Sequence, residues 1–102
     1  MAIYSGNGVF IGNNTLIGPN CSITPVNHNF KGLDKLIVEQ GFQTSKGGII
    51  IEDNFWIGSS VVILDGAIIQ KGSVIGANSL VNTLIPENSL AFGSPCKVIS
   101  KR

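Results

Sequence analysis

Residues 51–81 decide the fold, and in blocks of six they run IEDNFW, IGSSVV, ILDGAI, IQKGSV, IGANSL and V. Every block opens on a β-branched aliphatic residue; the openers are Ile51, Ile57, Ile63, Ile69, Ile75 and Val81. The same spacing holds upstream, where Ile11, Ile17 and Ile23 stand six residues apart. A fixed period sustained over this length indicates a repeat architecture.

A second set of positions lies four residues after each opener, and its side chains are usually smaller. Its members are Thr15, Cys21, Val61, Ala67, Ser73 and Ser79, with Phe55 and Ile85 as larger exceptions. Gly, Asn, Asp and Ser fill the places between, and these residues tolerate turns and left-handed backbone at little cost. Each block therefore predicts a short strand and a corner, with two inward-facing positions.

A period of six fits neither an amphipathic helix nor an alternating hairpin strand. Three blocks can instead form one triangular coil, and stacked coils pair equivalent strands about 4.8 Å apart while the openers form inner columns. The sequence thus predicts an all-β fold, a single-stranded left-handed parallel β-helix of hexapeptide repeats, over one domain of residues 1–102.

The repeat fails once, after His28, and resumes near residues 47–50. We expect an excursion loop over about residues 29–47, because solenoids tolerate insertions at corners and often carry function there. The segment 32–40 is compatible with either a helical turn or a short strand. The loop is rich in apolar side chains, so we expect it to pack against something; these are Phe30, Leu33, Leu36, Ile37, Val38 and Phe42.

Composition and charge limit the classes of partner that the protein can bind. Charged residues make up 13% of the chain, and the mean hydropathy of +0.33 favours coil faces covered by partner subunits. A net charge of +1 without a basic run argues against nucleic-acid binding and an anionic membrane surface, and no segment is long enough to span a bilayer. The first residues lack the features of a secretory signal, so we expect a cytoplasmic protein. Cys21 and Cys96 are expected to be small packing residues, with Cys21 in a dry core.

His28 is the only histidine and lies at the root of the loop. A single histidine is commonly a structural or surface residue. Here it stands where the regular fold is interrupted, and imidazole is the only side chain whose unperturbed pKa lies near neutrality. We therefore predict that His28 is a general base.

Several motifs together resemble the hexapeptide-repeat acyltransferases, within them the galactoside and maltose acetyltransferases and the polysaccharide O-acetyltransferases. They are the repeats, the loop rooted at Asn27 and His28, and the runs FWIG (55–58), VIGANS (74–79) and GSPCKVI (93–99). The resemblance implies transfer of an acetyl group from acetyl-coenzyme A (acetyl-CoA) to a hydroxyl of a sugar or related small acceptor, without a metal, in a cleft between subunits of a homotrimer. His28 matches the family's catalytic histidine, and Asn27 beside it is assigned to acceptor binding.

By motif position, the family's coenzyme A residues fall on Ser59, Ala77, Asn82, Thr83 and Lys97, which we expect to line one groove along a helix edge. Relatives commonly carry Thr-Lys where this chain has Asn82-Thr83. One expected cation is therefore missing, and Lys97, Lys101 and Arg102 are candidates to replace it. For Trp56 we favour a packing role that anchors the loop.

Other functions remain to be weighed. A γ-type carbonic anhydrase needs three histidines on zinc, and this chain has one. A nucleotidyltransferase needs a Rossmann-like domain for which 102 residues leave no room. An N-acetyltransferase acting on an amino sugar and a catalytically inactive structural or assembly β-helix stay open as alternatives.

Overall fold

The structure is a computed structural model that describes the backbone of residues 2–3 and all of residues 8–102. Its strands are β1 (Ala2–Ile3), β2 (Val9–Ile11), β3 (Thr15–Ile17), β4 (Ser22–Thr24), β5 (Ile49–Ile51), β6 (Phe55–Ile57), β7 (Val62–Leu64), β8 (Ile68–Ile69), β9 (Val74–Ile75), β10 (Leu80–Val81), β11 (Leu84–Ile85), β12 (Ser89–Gly93) and β13 (Cys96–Lys101). The only helical element among the described residues is a 3₁₀ turn at Ile37–Glu39.

The strands form three sheets along one axis. Sheet A has the order β1-β4-β7-β10, sheet B has β2-β5-β8-β11, and sheet C has β3-β6-β9-β12-β13. Every pairing is parallel except that of β12 with β13. Successive strands enter the sheets in the order B, C and A, which gives one triangular coil per three strands. The fold is the left-handed parallel β-helix that the period predicted.

The openers from Ile23 onwards, together with Ile85 and Ala91, form the core in three columns. Sheet A contributes Ile23, Ile63 and Val81, sheet B contributes Ile51, Ile69 and Ile85, and sheet C contributes Ile57, Ile75 and Ala91, all at most 1% exposed. The predicted aliphatic columns are therefore confirmed. Burial of one Ile side chain contributes about 1.5–3 kcal/mol, so the stacked columns are the main source of stability.

The polar residues between the columns form the corners of the coils. The third residue after an opener has a left-handed backbone at Asn14, Asn20, Asn54, Ser60 and Asn78, with φ between 57° and 61°. Asn adopts this conformation more readily than other side chains because its short amide can hydrogen-bond locally. The strand-plus-corner prediction for each block is thus confirmed.

One position in the repeat was assigned wrongly. Ile85 was expected at the second inward position, but it pairs with Ile69 and therefore occupies the opener column of sheet B. The connection between Val81 and Ile85 is two residues shorter than the regular corner, and only Asn82 and Thr83 lie between β10 and β11. An aliphatic residue suits both inward positions, so its side chain alone did not disclose the shift.

Candidate functional site

The connections between strands define two edges of the prism that flank sheet A. We call the corner from sheet A to sheet B the loop edge; it contains residues 25–48, 65–67 and 82–83. We call the corner from sheet C to sheet A the glycine edge; it contains residues 18–21, 58–61 and 76–79. The predicted site residues are distributed over both.

A short antiparallel pairing closes the root of the excursion loop. The Gln43 N–H donates to the Asn27 carbonyl over 2.7 Å, and the Asn29 N–H donates to the Gly41 carbonyl over 2.9 Å. The Asn29 side-chain amide donates to the carbonyls of Gln40 at 3.1 Å and Phe42 at 3.0 Å. Residues 27–29 are therefore held against residues 41–43 although no regular strand continues through the loop.

His28 lies in the middle of this pairing, opposite Phe42. The imidazole and phenyl ring centroids are 4.7 Å apart with a tilt of 37°, and the His28 carbonyl accepts a hydrogen bond from the Gln43 side chain at 3.1 Å. The His28 side chain is exposed, and Asn27 beside it is half-buried. Hydrogen bonds therefore hold the backbone of His28 and Phe42 contacts its ring, while the side chain remains exposed.

The distal loop is organised by Gln40. Its Oε1 accepts the Gly32 N–H at 3.1 Å, while its Nε2 donates to the carbonyls of Gly32 at 2.7 Å and Lys35 at 3.0 Å. The segment 32–40 contains the 3₁₀ turn rather than a strand. The predicted packing of the loop is not seen within the single chain, where its apolar side chains are 55–99% exposed; they are Phe30, Leu33, Leu36, Ile37, Val38 and Phe42.

Asp65 fixes the return of the loop to the coils, and sequence reasoning missed it. Its side chain is 3% exposed, Oδ2 accepts the Lys46 N–H at 2.7 Å and Oδ1 accepts the Gly48 N–H at 2.9 Å. The next residue, Gly66, donates its N–H to the Gly48 carbonyl at 2.8 Å. One signal was available, since Asp65-Gly66 stands at the corner immediately beyond the loop, where a carboxylate can satisfy free backbone N–H groups.

Two predicted coenzyme residues, Ser59 and Ala77, are stacked neighbours on the glycine edge. The Asn78 N–H donates to the Ser59 carbonyl at 3.0 Å. A Cβ added to Gly58 would lie 2.8 Å from the Ala77 nitrogen, and one added to Gly18 would lie 2.7 Å from the Ser59 nitrogen. Glycine is required there because the backbone of the next coil occupies the space of a side chain.

Lys97 is close to this edge, but Asn82 and Thr83 are not. Lys97 pairs with Phe92 on the β12–β13 hairpin, one residue from the Gly93 end where β12 finishes. Asn82 and Thr83 are exposed and lie on the loop edge, stacked beyond residues 65–67. Within one chain, the predicted coenzyme residues therefore divide between two edges of sheet A, because the shortened corner belongs to the loop edge, and the groove between subunits stays a prediction.

The other two C-terminal cations lie at the far end of the hairpin. The Lys101 ammonium donates to the Glu87 carbonyl at 2.8 Å and to the Ser89 hydroxyl at 3.4 Å. The Arg102 N–H donates to the Asn88 carbonyl at 2.8 Å. Both belong to the corner between sheets B and C, so the suggestion that they replace the missing cation beside Asn82 and Thr83 is not supported.

The other residues singled out in the sequence are Cys21, Cys96 and Trp56. Cys21 is 2% exposed, as predicted, and its Sγ lies 3.1 Å from the Gly58 carbonyl. Burial raises the pKa of the Cys96 thiol from its ordinary value of 9.0, and a hydrogen bond with Ser79 partly opposes this. Trp56 is 55% exposed on the outer face of sheet C between Leu16 and Val74, so it does not anchor the loop in the single chain.

Among the described residues, no three His, Cys, Asp or Glu side chains are grouped so as to hold a metal ion. Within the same part of the chain, no helix is long and apolar enough to cross a membrane.

Comparison with known proteins identifies the family. The family model for bacterial transferase hexapeptide (six repeats) matches residues 48–83. A galactoside O-acetyltransferase of Lactococcus lactis subsp. lactis (strain IL1403) is 39% identical over 101 residues, which are 99% of this chain and 47% of the relative. The chain belongs to the hexapeptide-repeat acetyltransferase family. The resemblance found in the sequence is therefore confirmed.

Solved structures agree with this hexapeptide-repeat acetyltransferase fold. A maltose O-acetyltransferase from Clostridium difficile 630 superposes with a TM-score of 0.80 at 37% identity, over 92% of this chain and 48% of the other. A hexapeptide-repeat acetyltransferase from Vibrio cholerae O1 biovar eltor, solved in complex with acetyl-CoA, gives 0.83 at 33% identity, over 97% and 52%. The chain spans about half the length of the curated relatives it matches.

Proposed function

We propose that this hexapeptide-repeat acetyltransferase moves the acetyl group of acetyl-CoA to a hydroxyl of a sugar or related small acceptor. The observation that carries the proposal is the exposed imidazole of His28, whose ring contacts that of Phe42 at the root of the loop. The relatives support the donor and the acceptor class, since they include galactoside and maltose O-acetyltransferases and a complex with acetyl-CoA.

The proposed chemistry needs one proton carrier. Neutral His28 takes the proton of the acceptor hydroxyl as its oxygen attacks the thioester carbonyl carbon. When the tetrahedral intermediate collapses, the carbon–sulfur bond breaks and the imidazolium returns the proton to the departing thiolate. The acetyl group thus passes directly to the acceptor, and Asn27 is proposed to bind that acceptor.

We further propose that the active unit is a homotrimer in which the loop edge of one subunit faces the glycine edge of the next. Ser59, Ala77 and Lys97 would then bind coenzyme A from one side, with Asn82 and Thr83 contributing from the other edge. Exposed apolar residues on two outer faces support burial between subunits: they are Phe10, Ile50 and Leu84 on sheet B and Leu16 and Trp56 on sheet C.

The test is thiol release from acetyl-CoA with a panel of sugars, nucleotide sugars, amino sugars and serine. For the preferred acceptor, His28→Ala should lower kcat by about 10²–10⁴-fold, the usual contribution of a positioned general base. Lys71→Ala, an exposed change on the corner between sheets B and C, serves as the control and should stay within about twofold of the wild type. Light scattering on the same samples measures the oligomeric state.

Three results would contradict the proposal. Unchanged turnover by an assembled His28→Ala variant excludes the general-base role. Transfer only to amino sugars favours the N-acetyltransferase alternative. A wild-type protein that releases no thiol with any acceptor favours a structural β-helix.

A further inference from the structure

Phe42 is paired with the proposed general base through both its backbone and its side chain. His28 and Phe42 stand directly opposite each other in the antiparallel pairing that closes the loop. The backbone hydrogen bonds around them are made by the residues before and after each partner, so the two form a non-hydrogen-bonded pair. In such a pair the Cα atoms are about 4.5 Å apart and the side chains come closest. Both rings therefore lie on the same face of the pairing.

Two amide side chains hold the backbone of this pair. Asn29, which follows His28, donates its side-chain amide to the Phe42 carbonyl at 3.0 Å. Gln43, which follows Phe42, donates its side-chain amide to the His28 carbonyl at 3.1 Å. Each partner is fixed by the neighbour of the other. The backbone that carries the two rings is therefore held by contacts other than those between the rings.

The imidazole of His28 is oriented in an uncommon way. A general base is usually held by a hydrogen bond from a third group. Within residues 8–102, however, neither ring nitrogen of His28 has a hydrogen-bond partner. The His28 side chain is also exposed, and exposed side chains exchange rapidly among staggered rotamers. In the described part of the chain, the contact that restricts the imidazole is the one with the phenyl ring of Phe42.

The environment of Phe42 argues against a role in the core. Its side chain is 64% exposed, so burial contributes little to its interactions. Its ring centroid lies 4.7 Å from that of the imidazole with a tilt of 37°. Favourable aromatic pairs have centroids about 4.5–7 Å apart. The contact with His28 is therefore the main interaction of the phenyl group within the single chain.

The position of a general base decides its effect on the rate. The base must come within about 2.6–3.2 Å of the oxygen whose proton it takes, and a displacement of about 1 Å can lower the rate about 10²-fold. We propose that Phe42 is a positioning residue that selects the reactive rotamer of His28. The phenyl ring closes one side of the imidazole and leaves its nitrogens open to the acceptor hydroxyl. This inference rests on the proposed function for the role of His28.

The kinetic test compares Phe42→Leu, which keeps an apolar side chain without the ring, with Phe42→Tyr, which keeps the ring. An aromatic pair contributes a factor of about 2–13, that is ~0.5–1.5 kcal/mol, beyond the burial of its area. Phe42→Leu should therefore lower kcat by about 2–13-fold. It should leave KM for acetyl-CoA unchanged, because it displaces the base and not the donor. Phe42→Tyr should retain the wild-type kcat.

The matched control is Phe30→Leu, in which a phenylalanine of the same loop is replaced. Phe30 is 55% exposed, and the ring contact found among the described residues does not involve it. This variant should retain the wild-type kcat, and size-exclusion chromatography shows whether each variant keeps the wild-type assembly. An unchanged kcat in Phe42→Leu overturns the inference. Equal losses in Phe42→Leu and Phe30→Leu, or in Phe42→Leu and Phe42→Tyr, overturn it as well.

NMR spectroscopy tests the ring contact without any turnover. His28 is the only histidine, so its imidazole gives a single set of ring signals. The wild type should show nuclear Overhauser contacts between the two rings and a ring-current shift of the imidazole protons, and Phe42→Leu should lose both. Their absence from an active wild type overturns the inference and leaves the proposed function standing. A wild type that shows the contact but releases no thiol contradicts the proposed function, and the catalytic role of Phe42 fails with it.

Discussion

The replacement Asp65→Ala tests whether one buried carboxylate holds the excursion loop to the β-helix. It removes the acceptors of the Lys46 and Gly48 N–H groups, which lie 2.7 and 2.9 Å from the carboxylate oxygens. A hydrogen bond to a charged group contributes about 1.5–3 kcal/mol. The buried N–H of Gly48 loses its hydrogen-bond contribution in full, whereas water can replace the carboxylate at the exposed N–H of Lys46. We therefore expect a loss of about 2–3 kcal/mol in the free energy of unfolding.

Urea unfolding at fixed subunit concentration measures this loss, because the stability of an oligomer depends on concentration. Hydrogen exchange locates it: the amides of Lys46 and Gly48 should exchange about 30–140-fold faster, the factor equivalent to ~2–3 kcal/mol. Asp53→Ala is the matched control, since its exposed carboxylate also accepts a backbone N–H, that of Asn13, at 2.7 Å. Equal losses in the two variants, or unchanged exchange at Gly48, would refute the anchoring role of Asp65.

Two further predictions concern the coils. Gly58→Ala should destabilise the protein by about 1–3 kcal/mol, because the new Cβ would lie 2.8 Å from the Ala77 nitrogen. The control Gly32→Ala should destabilise it less, because its Cβ would meet only the flexible end of Gln40 at 3.2 Å. Thermal unfolding of both variants measures the difference. Because burial raises the pKa of the Cys96 thiol above its ordinary 9.0, its contribution to stability is complete below pH 9 and declines above it. Cys96→Ala should therefore destabilise less at pH 10 than at pH 7.5 in urea unfolding, and an equal difference at both pH values would contradict this linkage.

The strands and corners could be predicted because each depends on residues within one short repeat. The spacing of Ile57 and Ile75 alone predicts their places in the core columns, and Asn54 and Asn78 predict the left-handed corners. The register at Ile85 could not be predicted, since an aliphatic side chain fits both inward positions and only the pairing with strand β8 distinguishes them.

The candidate site was only partly predictable for a different reason. His28 was predicted to be the general base because the repeat fails there, and the family motifs predicted Ser59 and Ala77 as coenzyme residues. Asp65 reaches Gly48 across 17 positions in the sequence, and the Asp65-Gly66 corner alone does not indicate which backbone N–H groups the carboxylate binds. The division of the site over two edges depends on which corner each connection forms, and motif order does not contain that information.

That division is a physical argument for assembly. A general base must come within about 2.6–3.2 Å of the hydroxyl whose proton it takes, or act through one water. His28 lies on the loop edge and Ser59 and Ala77 on the glycine edge, separated by sheet A, whose three-residue strands such as Val62–Leu64 span about 10 Å. In the proposed trimer, we therefore expect the loop of a neighbouring copy, rather than the loop of the same chain, to reach a donor bound along the glycine edge. Contacts between two different surfaces close into a ring when the rotation permits, and the proposed trimer is such a ring, with one complete site at each of its three contacts.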